Sequence, residues 1–283
     1  MAEVIAVTDK VLDVDLTSGK VRTIDIAASD RKRYIGGKGL ALKLLYDHIA
    51  PGVDPLSADN ILVIMSGPAT GTAAPSGGRF AVVSKSPLTG IFASSYTGGR
   101  FGLSLKRAGY DGIMVRGKSD TPVYLKIESQ EISVRDAGLL WGMDTYDLQE
   151  SRKAEGDWIV IGPAGENLVG FAVIAAGKRV AGRCGLGAVM GSKNLKGIVA
   201  SGNRKIIPAN PDLFQKAVKT ARKKIQSHEI TGSKLHEQGT PLNVMKYGPH
   251  GIMPVRNFSR SKVKNINEIS GEKIRDNHFQ TAF

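Results

Sequence analysis

Alternating hydrophobic and polar residues near the start of the chain predict a β-hairpin. The segment VLDVDLTSGKVRTIDI, residues 11–26, places two alternating runs around a Thr-Ser-Gly turn. The next segment, YIGGKGLALKLLYDHI, opens with glycines and continues with Leu40, Leu44, Leu45 and His48 at the spacing of a helix face. The chain therefore begins with a strand pair followed by a helix.

Short apolar runs continue to about residue 202 and predict a β-rich domain. Two further helices are predicted, at RFGLSLKRAGYD and at DTYDLQESRKAE, the second with Asp144 as its N-cap. The predicted strands are NILVIMSG, RFAVVSKS, GIMVRGK, PVYLKIE, EISVRDA, WIVIGPAG, GFAVIAAG and LKGIVASG. Mixed strands and helices of this kind indicate an α+β fold.

The pattern changes near Pro208. A helix is predicted from Asn210 to Ser227, with Pro211 in its first turn, and little β pattern follows it. We therefore predict two domains, residues 1–207 and residues 208–283. The second is expected to be the incomplete start of a helical domain, because roughly 75 residues form only a marginal core.

Composition narrows the class of protein. The chain has 283 residues, of which 41% are hydrophobic, and no apolar run approaches the length of a transmembrane helix. The N-terminus lacks the apolar region of a signal peptide, so a cytoplasmic location is expected. The single cysteine excludes an internal disulfide and any self-contained zinc or iron–sulfur site held by cysteines.

The chain carries a net charge of +13, from 39 basic and 26 acidic residues. Such a charge is compatible with nucleic acid, an anionic membrane or a phosphate-bearing ligand. Many basic residues lie between Arg204 and Arg275, and we interpret the basic helix there mainly as a solvated face. No RNA-binding signature and no helix-turn-helix pattern accompanies them, which argues against nucleic acid.

Four glycine-rich segments predict an anion site. The segment AGRCGLGAVMGSKNLK, residues 181–196, fits neither the P-loop nor the Rossmann spacing. Three other segments are also rich in glycine and contain a basic residue: YIGGKGLA, GPATGTAAPSGGRF and SSYTGGRFG. Each of the four segments follows a predicted strand or opens a predicted helix. With Arg79, Arg100, Arg179 and Arg183 they predict a large ligand with several phosphates. The alternative is a set of ordinary tight turns with surface arginines.

These motifs carry a family resemblance. Six segments resemble, in the same order, the N-terminal domain of the aldehyde:ferredoxin oxidoreductases. They are YIGGKGLALKLLYD, GPATGTAAPSGGRF, SKSPLTGIFASSYTGGRFG, LKRAGYDGIMVRGKSDTPVYL, IGPAGENLV and AGRCGLGAVMGSKNLKGIV. The resemblance runs from about residue 11 to residue 200 and more weakly into QGTPLNV and NHFQTAF. It implies two β-sheets related by a pseudo-twofold duplication. It also implies a tungsten atom, held by the dithiolenes of two pterins whose phosphates are bridged by magnesium.

The resemblance also implies which residues contact this tungstopterin cofactor. Arg79 matches an arginine near the first pterin, and Tyr96 and Gly98 match the start of a loop beside it. The second phosphate and pterin loop is matched by Arg179, Val180, Gly182 and Arg183. Backbone carbonyls at Tyr96 and Val180 would contact the magnesium ion. Tyrosine stands at position 96 where the family often has asparagine, which leaves a backbone contact possible.

The family's cluster ligands have no match in this sequence. Family members bind a [4Fe–4S] cluster through a C-x-x-C-x-x-x-C segment after the motif matched by NHFQTAF, and through a later cysteine. This chain ends at Phe283 before such a segment. Cys184 stands where the family often has glycine, so we assign it no cluster role and expect a small buried side chain.

The implied reaction is oxidation of an aldehyde to a carboxylic acid, with electrons passing through the cluster to ferredoxin. We expect the chain alone to be inactive, as a truncated protein or as one half of a split enzyme completed by a cluster-bearing subunit. The alternative is a non-enzymatic pterin carrier or a basic nucleic-acid-binding module. The aldehyde, the choice between tungsten and molybdenum, and a homo-oligomeric state stay open, and no catalytic residue is identified.

Overall fold

The computed structural model of the protein describes residues 3–129 and 131–278, so residues 279–283 of the NHFQTAF motif lie outside the described residues. Its strands, β1 to β14, are Glu3–Ile5, Lys10–Asp15, Lys20–Asp25, Leu62–Ser66, Phe80–Lys85, Phe92–Thr97, Gly112–Arg116, Val123–Ile127, Ile132–Asp136, Asp157–Val160, Ile174–Ala176, Arg179–Ala181, Leu195–Ala200 and Lys205–Ile207. Its helices, α1 to α10, are Ala28–Tyr34, Lys38–His48, Phe101–Ala108, Thr145–Ser151, Pro163–Glu166, Leu186–Ser192, Pro211–Ser227, Leu235–Gln238, Leu242–Tyr247 and Gly271–His278. Within the described ranges, none of the helices combines the length and the hydropathy needed to cross a bilayer.

Two six-stranded sheets share one topology. The first sheet has the order β3-β2-β7-β4-β5-β6 and the second the order β9-β8-β13-β10-β11-β12. In each sheet the second and third strands are parallel, β2 with β7 and β8 with β13, and the other neighbours are antiparallel. We call residues 10–116 the first repeat and residues 123–200 the second repeat. The predicted α+β fold with an internal duplication is confirmed.

The largest hydrophobic core lies where the two sheets meet. Leu12, Ile64 and Val82 of the first repeat and Ile159 and Ile198 of the second belong to it, and all are buried. Because side chains alternate along a strand, neighbouring residues face outward and form two further cores. One outer core joins the first sheet to α2. The other joins the second sheet to α4.

Several elements differ from the sequence prediction. The strand predicted at WIVIGPAG ends at Val160, and Pro163–Glu166 forms α5 because proline suits the first turn of a helix. The strand predicted at GFAVIAAG is confined to Ile174–Ala176. Strand β6 was not predicted, since its serines interrupt the apolar pattern, and β12 was missed because it is three residues long and leads directly into the glycine-rich segment. The short parallel pair of β1 with β14 was also missed.

The chain divides into two compact units, Met1–Pro211 and Asp212–Phe283. The second unit consists of helices and turns in its described part, with one isolated bridge between Val255 and Arg260. Helix α7, predicted from Asn210 to Ser227, begins at Pro211. It buries Val218 and exposes most of its charged residues, as expected of a solvated basic face.

Candidate functional site

The edges of the two sheets meet at strands β6 and β12. Each of these strands is the last in its sheet, and they lie against one another. Tyr96 and Val180 are the penultimate residues of these strands, and Gly98 and Gly182 follow the strands directly. In the duplication Tyr96 is therefore the counterpart of Val180, and Gly98 the counterpart of Gly182, at equivalent backbone positions.

A cavity of about 550 Å³ lies at this junction. It is lined by Arg79, Ser94, Ser95, Tyr96, Val180, Gly182 and Arg183. Five of the seven residues predicted to contact the cofactor are thus brought together. The Tyr96 and Val180 side chains are 45% and 50% exposed, so the cavity is open to ligands.

The other two predicted residues, Gly98 and Arg179, lie beside the cavity and contact each other. A Cβ placed on Gly98 would come within 2.9 Å of Cδ of Arg179, so the arginine side chain packs over the glycine. Any larger residue at position 98 would displace it. Arg179 also lines a neighbouring cleft of about 310 Å³, together with Arg100 and Lys178. The predicted set therefore spans two adjoining clefts.

Three of the four arginines predicted at the site differ from the fourth in having no acidic partner among the described side chains. Among the side chains that the structure describes, Arg79, Arg179 and Arg183 have no carboxylate within 4.0 Å. Arg100, in contrast, lies 3.3 Å from Asp157. Guanidinium groups form strong bidentate hydrogen bonds with phosphates, so three uncompensated arginines favour a polyanionic ligand.

Arg79 is positioned by the glycine-rich loop that precedes β5. The Thr70 hydroxyl, which is buried, donates to the Arg79 carbonyl at 3.2 Å and accepts from the Gly67 amide at 3.1 Å. Both ends of the loop are thereby held together through one side chain. The Arg79 guanidinium consequently projects from a fixed backbone position.

The buried Lys106 also stabilises the glycine-rich loop before β5. Lys106 of α3 donates to the carbonyls of Pro68 and Ala6, and its ammonium lies 3.8 Å from Asp111. Burial lowers the pKa of Lys106 to about 8, and the nearby Asp111 carboxylate partly opposes that effect. One Asp111 oxygen accepts from the Thr8 amide, while its other oxygen has no hydrogen-bond partner among the described residues. The cluster therefore anchors the first part of the loop that leads to Arg79.

The side chains that the structure describes do not form a metal site by themselves. Within residues 3–129 and 131–278, no three His, Cys, Asp or Glu side chains are grouped so that they could hold an ion. The Cys184 side chain is half-buried and packs against the core between the sheets. The arginines and the close glycine backbone nonetheless fit a flat, phosphate-bearing cofactor, and backbone oxygens of edge strands suit a hard cation.

Sequence reasoning missed the two serines of the cavity. Ser94 and Ser95 lie on β6, a strand that was not predicted. Consecutive small polar residues that are followed by Tyr96 and two glycines were the available signal, since a polar strand next to a glycine turn is typical of ligand-binding edges.

A family model described as "Aldehyde ferredoxin oxidoreductase, N-terminal domain" matches residues 11–202. A second, "Aldehyde ferredoxin oxidoreductase, domains 2 & 3", matches residues 216–282. The chain is 41% identical over 271 residues to the tungsten-containing aldehyde ferredoxin oxidoreductase of Pyrococcus abyssi and covers 45% of that protein. It is 36% identical over 276 residues to the aliphatic sulfonate oxidoreductase, WOR-like subunit, of Pyrococcus furiosus, and covers 43% of it.

A solved structure has the same fold. The active site complex BamBC of benzoyl coenzyme A reductase, in complex with 1,5-dienoyl-CoA, superimposes with a TM-score of 0.83 at 30% identity. The match covers 98% of this chain and 45% of the other. The chain therefore spans less than half the length of the proteins it resembles.

Proposed function

Because the chain belongs to the aldehyde ferredoxin oxidoreductase family, we propose that its cavity binds a tungstopterin cofactor of an enzyme that oxidises aldehydes to carboxylic acids. The observation that carries the proposal is a group of three arginines, gathered where β6 and β12 meet, for which the described part of the chain supplies no acidic partner. A cofactor with two pterin phosphates would neutralise these charges. The internal duplication would present one equivalent strand end to each pterin.

Each predicted residue then has a defined role. Arg79, Arg179 and Arg183 would donate hydrogen bonds to phosphate and pterin oxygens. Gly98 and Gly182 would admit the flat rings close to the backbone. The carbonyl oxygens of Tyr96 and Val180, two equivalent positions in the repeats, would contact a magnesium ion between the phosphates.

Tungsten in the bound cofactor would supply the two-electron oxidation, while this chain binds and orients the cofactor. We propose that the electrons leave through a [4Fe–4S] cluster to ferredoxin. Cys184 is the single cysteine of the sequence, so the cluster ligands would come from the part of the family's length that this chain does not cover. A separate cluster-bearing subunit is one source of them.

Metal and pterin analysis tests the proposed cofactor. We expect the chain, purified from an anaerobic host supplied with tungstate, to retain tungsten and a fluorescent pterin after oxidation. The chain alone should not reduce viologen in the presence of an aldehyde. Absence of both tungsten and pterin, together with salt-dependent DNA binding, would instead favour the basic binding module. Rapid aldehyde-dependent reduction by the chain alone would contradict the need for a further cluster-bearing part.

Substitution of the arginines tests the site itself. Arg183→Ala and Arg79→Ala should each lower the tungsten content per chain by roughly tenfold or more, because a charge-assisted hydrogen bond is lost. Arg107→Ala is the matched control, since Arg107 is exposed on α3 and does not line the cavity. Equal loss of tungsten in all three variants would contradict the assignment.

A further inference from the structure

Two buried serines of the first repeat hold a loop of the second. The Ser86 hydroxyl donates to the Cys184 carbonyl at 2.7 Å. The Ser95 hydroxyl oxygen accepts from the Arg183 amide at 3.1 Å. Ser86 and Ser95 are 0% and 3% exposed, so the serine end of each bond is shielded from bulk water. The Arg183–Cys184 backbone is thereby fixed on both sides.

The Ser86 proton has one available destination. A hydroxyl offers one donor and two acceptor sites. The amides of Leu88 and Thr89 both donate to the Ser86 oxygen at 3.1 Å and occupy its acceptor sites. The proton is therefore committed to the Cys184 carbonyl. The turn between β5 and β6 and the loop before α6 are joined through this one side chain.

The backbone held by the serines has an unfavourable conformation. Cys184 has φ +68°, in the left-handed region that residues with a side chain seldom adopt. Contacts with neighbouring groups must stabilise such a conformation, or the loop would relax toward negative φ. The hydrogen bonds from Ser86 and Ser95 act directly on the two residues concerned. Relaxation there would move Arg183 away from the cavity.

We propose that Ser86 and Ser95 are positioning residues for cofactor binding. They hold the Arg183–Cys184 backbone in its left-handed turn and so direct the Arg183 guanidinium into the cavity. The inference rests on the proposed function, in which Arg183 contacts a phosphate. It adds that the anion contact of the second repeat is set by hydroxyl groups of the first, so neither repeat forms the site without the other.

Binding of inorganic pyrophosphate to the cofactor-free chain, measured by calorimetry, tests this proposal. Ser86→Ala and Ser95→Ala should each weaken binding by about fivefold to tenfold, because the lost bond frees the loop. Ser84→Ala is the matched control. Ser84 is also buried on β5 and donates to a carbonyl, that of Ile61 at 2.7 Å, but it does not contact the loop. It should lower the melting temperature comparably and change pyrophosphate affinity by less than about twofold.

Cys184→Gly separates positioning from general destabilisation. Glycine adopts φ +68° without a Cβ penalty, so it should restore most of the affinity lost in Ser86→Ala or Ser95→Ala. If Ser86→Ala does not fold, the pyrophosphate affinities of Ser95→Ala with and without Cys184→Gly provide the same comparison. A purely structural role predicts no such recovery, and its absence would overturn the inference.

Arg183→Ala distinguishes failure of this inference from failure of the proposed function. Unchanged pyrophosphate affinity in Arg183→Ala would remove Arg183 as an anion contact and with it the proposed site. Weaker binding in Arg183→Ala, with Ser86→Ala and Ser95→Ala indistinguishable from Ser84→Ala, would retain the site and reject the positioning role. The expected result is a loss in all three variants, with recovery by glycine in the serine variants.

Discussion

The two repeats share a backbone topology, but the carboxylates of Asp13 in the first and Glu166 in the second are buried with different partners. In the first repeat the buried carboxylate of Asp13 is paired with Arg22 and Arg116, whose side chains are 64% and 38% exposed. In the second repeat Lys196 and Glu166 form an ion pair with both side chains buried. The duplication therefore preserves strand order and strand ends, while each repeat has its own interior.

This difference shows what the duplication contributes to the site. Equivalent strand ends give equivalent backbone positions, such as Tyr96 and Val180, that suit two copies of one ligand. The side chains around them are unequal, since Arg79 precedes β5 whereas Arg179 and Arg183 belong to and follow β12. The backbone would thus define a symmetrical site, and the arginines would distinguish its two halves.

Replacement of the buried Lys196 should cause the largest loss of stability. Lys196 donates to Glu166 and to the Met143 carbonyl at 2.8 Å, while Glu166 also accepts from the Gly142 amide. Lys196→Met leaves the Glu166 carboxylate buried without its counter-ion. We expect the free energy of unfolding to fall by about 3–5 kcal/mol, measured by urea denaturation.

Arg22→Ala in the first repeat is the matched comparison. Arg22 is largely exposed, and Asp13 retains its bonds to Arg116, so the expected loss is below about 1 kcal/mol. Similar losses in Lys196→Met and Arg22→Ala would show that Glu166 and Asp13 depend equally on these two partners, contrary to the comparison.

Glycine to alanine substitutions in the equivalent helices α3 and α6 should also destabilise the two repeats by different amounts. A Cβ on Gly191 of α6 would overlap the backbone carbonyl of Gly165, which cannot yield easily. A Cβ on Gly102 of α3 would lie 3.3 Å from the Phe80 ring, where small side-chain shifts suffice. We expect Gly191→Ala to lower the unfolding free energy by about 2–3 kcal/mol and Gly102→Ala by less than about 1 kcal/mol.

Thermal unfolding of both variants under identical buffer conditions would provide the measurement. An equal decrease in melting temperature would mean that α6 approaches α5 no more closely than α3 approaches its own neighbours. The contact of Gly165 with α6 would then not constrain the second repeat.

Alkaline pH probes a feature that the repeats have in common. Burial lowers the pKa of Lys106 and of Lys193 to about 8, from 10.5 for a free lysine. Between about pH 8 and pH 10.5 the unfolded chain still binds protons that the folded chain has released, so the free energy of unfolding should rise with pH. Below pH 8 the folded protein bears the full cost of both buried ammonium groups.

Urea unfolding at pH about 7.5, 8.5 and 9.5 should show this rise, at up to about 1.4 kcal/mol per pH unit for each lysine. Lys193 donates to the carbonyls of Ala58 and Gly117, so Lys193→Met lowers stability at every pH. The unfolding free energy of Lys193→Met should nevertheless rise less steeply with pH than that of the parent. The difference in slope should correspond to about one proton. An unchanged slope would exclude Lys193 as one of the titrating groups.

Periodicity was sufficient for the strands that bury one apolar face or both. β4, β7 and β13 are fully apolar on one face, and β2 and β5 each carry two successive apolar residues on at least one face. The hairpin and α2 followed from alternation and helical spacing. β6 escaped prediction because Ser95, which holds the opposite loop, and Thr97 occupy two of its three buried positions. Such long-range hydrogen bonds leave no local pattern. The site residues came from a resemblance, since spacing alone does not indicate which glycine loops meet.

Helix caps offer the smallest test of the comparison. Asp144 is the N-cap of α4 in the second repeat and accepts from the Tyr146 amide at 2.7 Å. Ala27 is the N-cap residue of α1 in the first repeat and has the extended conformation of a cap, but its side chain cannot accept a hydrogen bond. Asp144→Ala should therefore lower the unfolding free energy by about 1 kcal/mol, and Ala27→Ser should raise it by about 0.5–1 kcal/mol, both measured by urea unfolding. Because the substitutions act on local backbone groups far from one another, the double variant should differ little from the parent. A serine at position 27 without a gain would indicate that the first turn of α1 is already satisfied by water, and that the missing cap is no weakness of the first repeat.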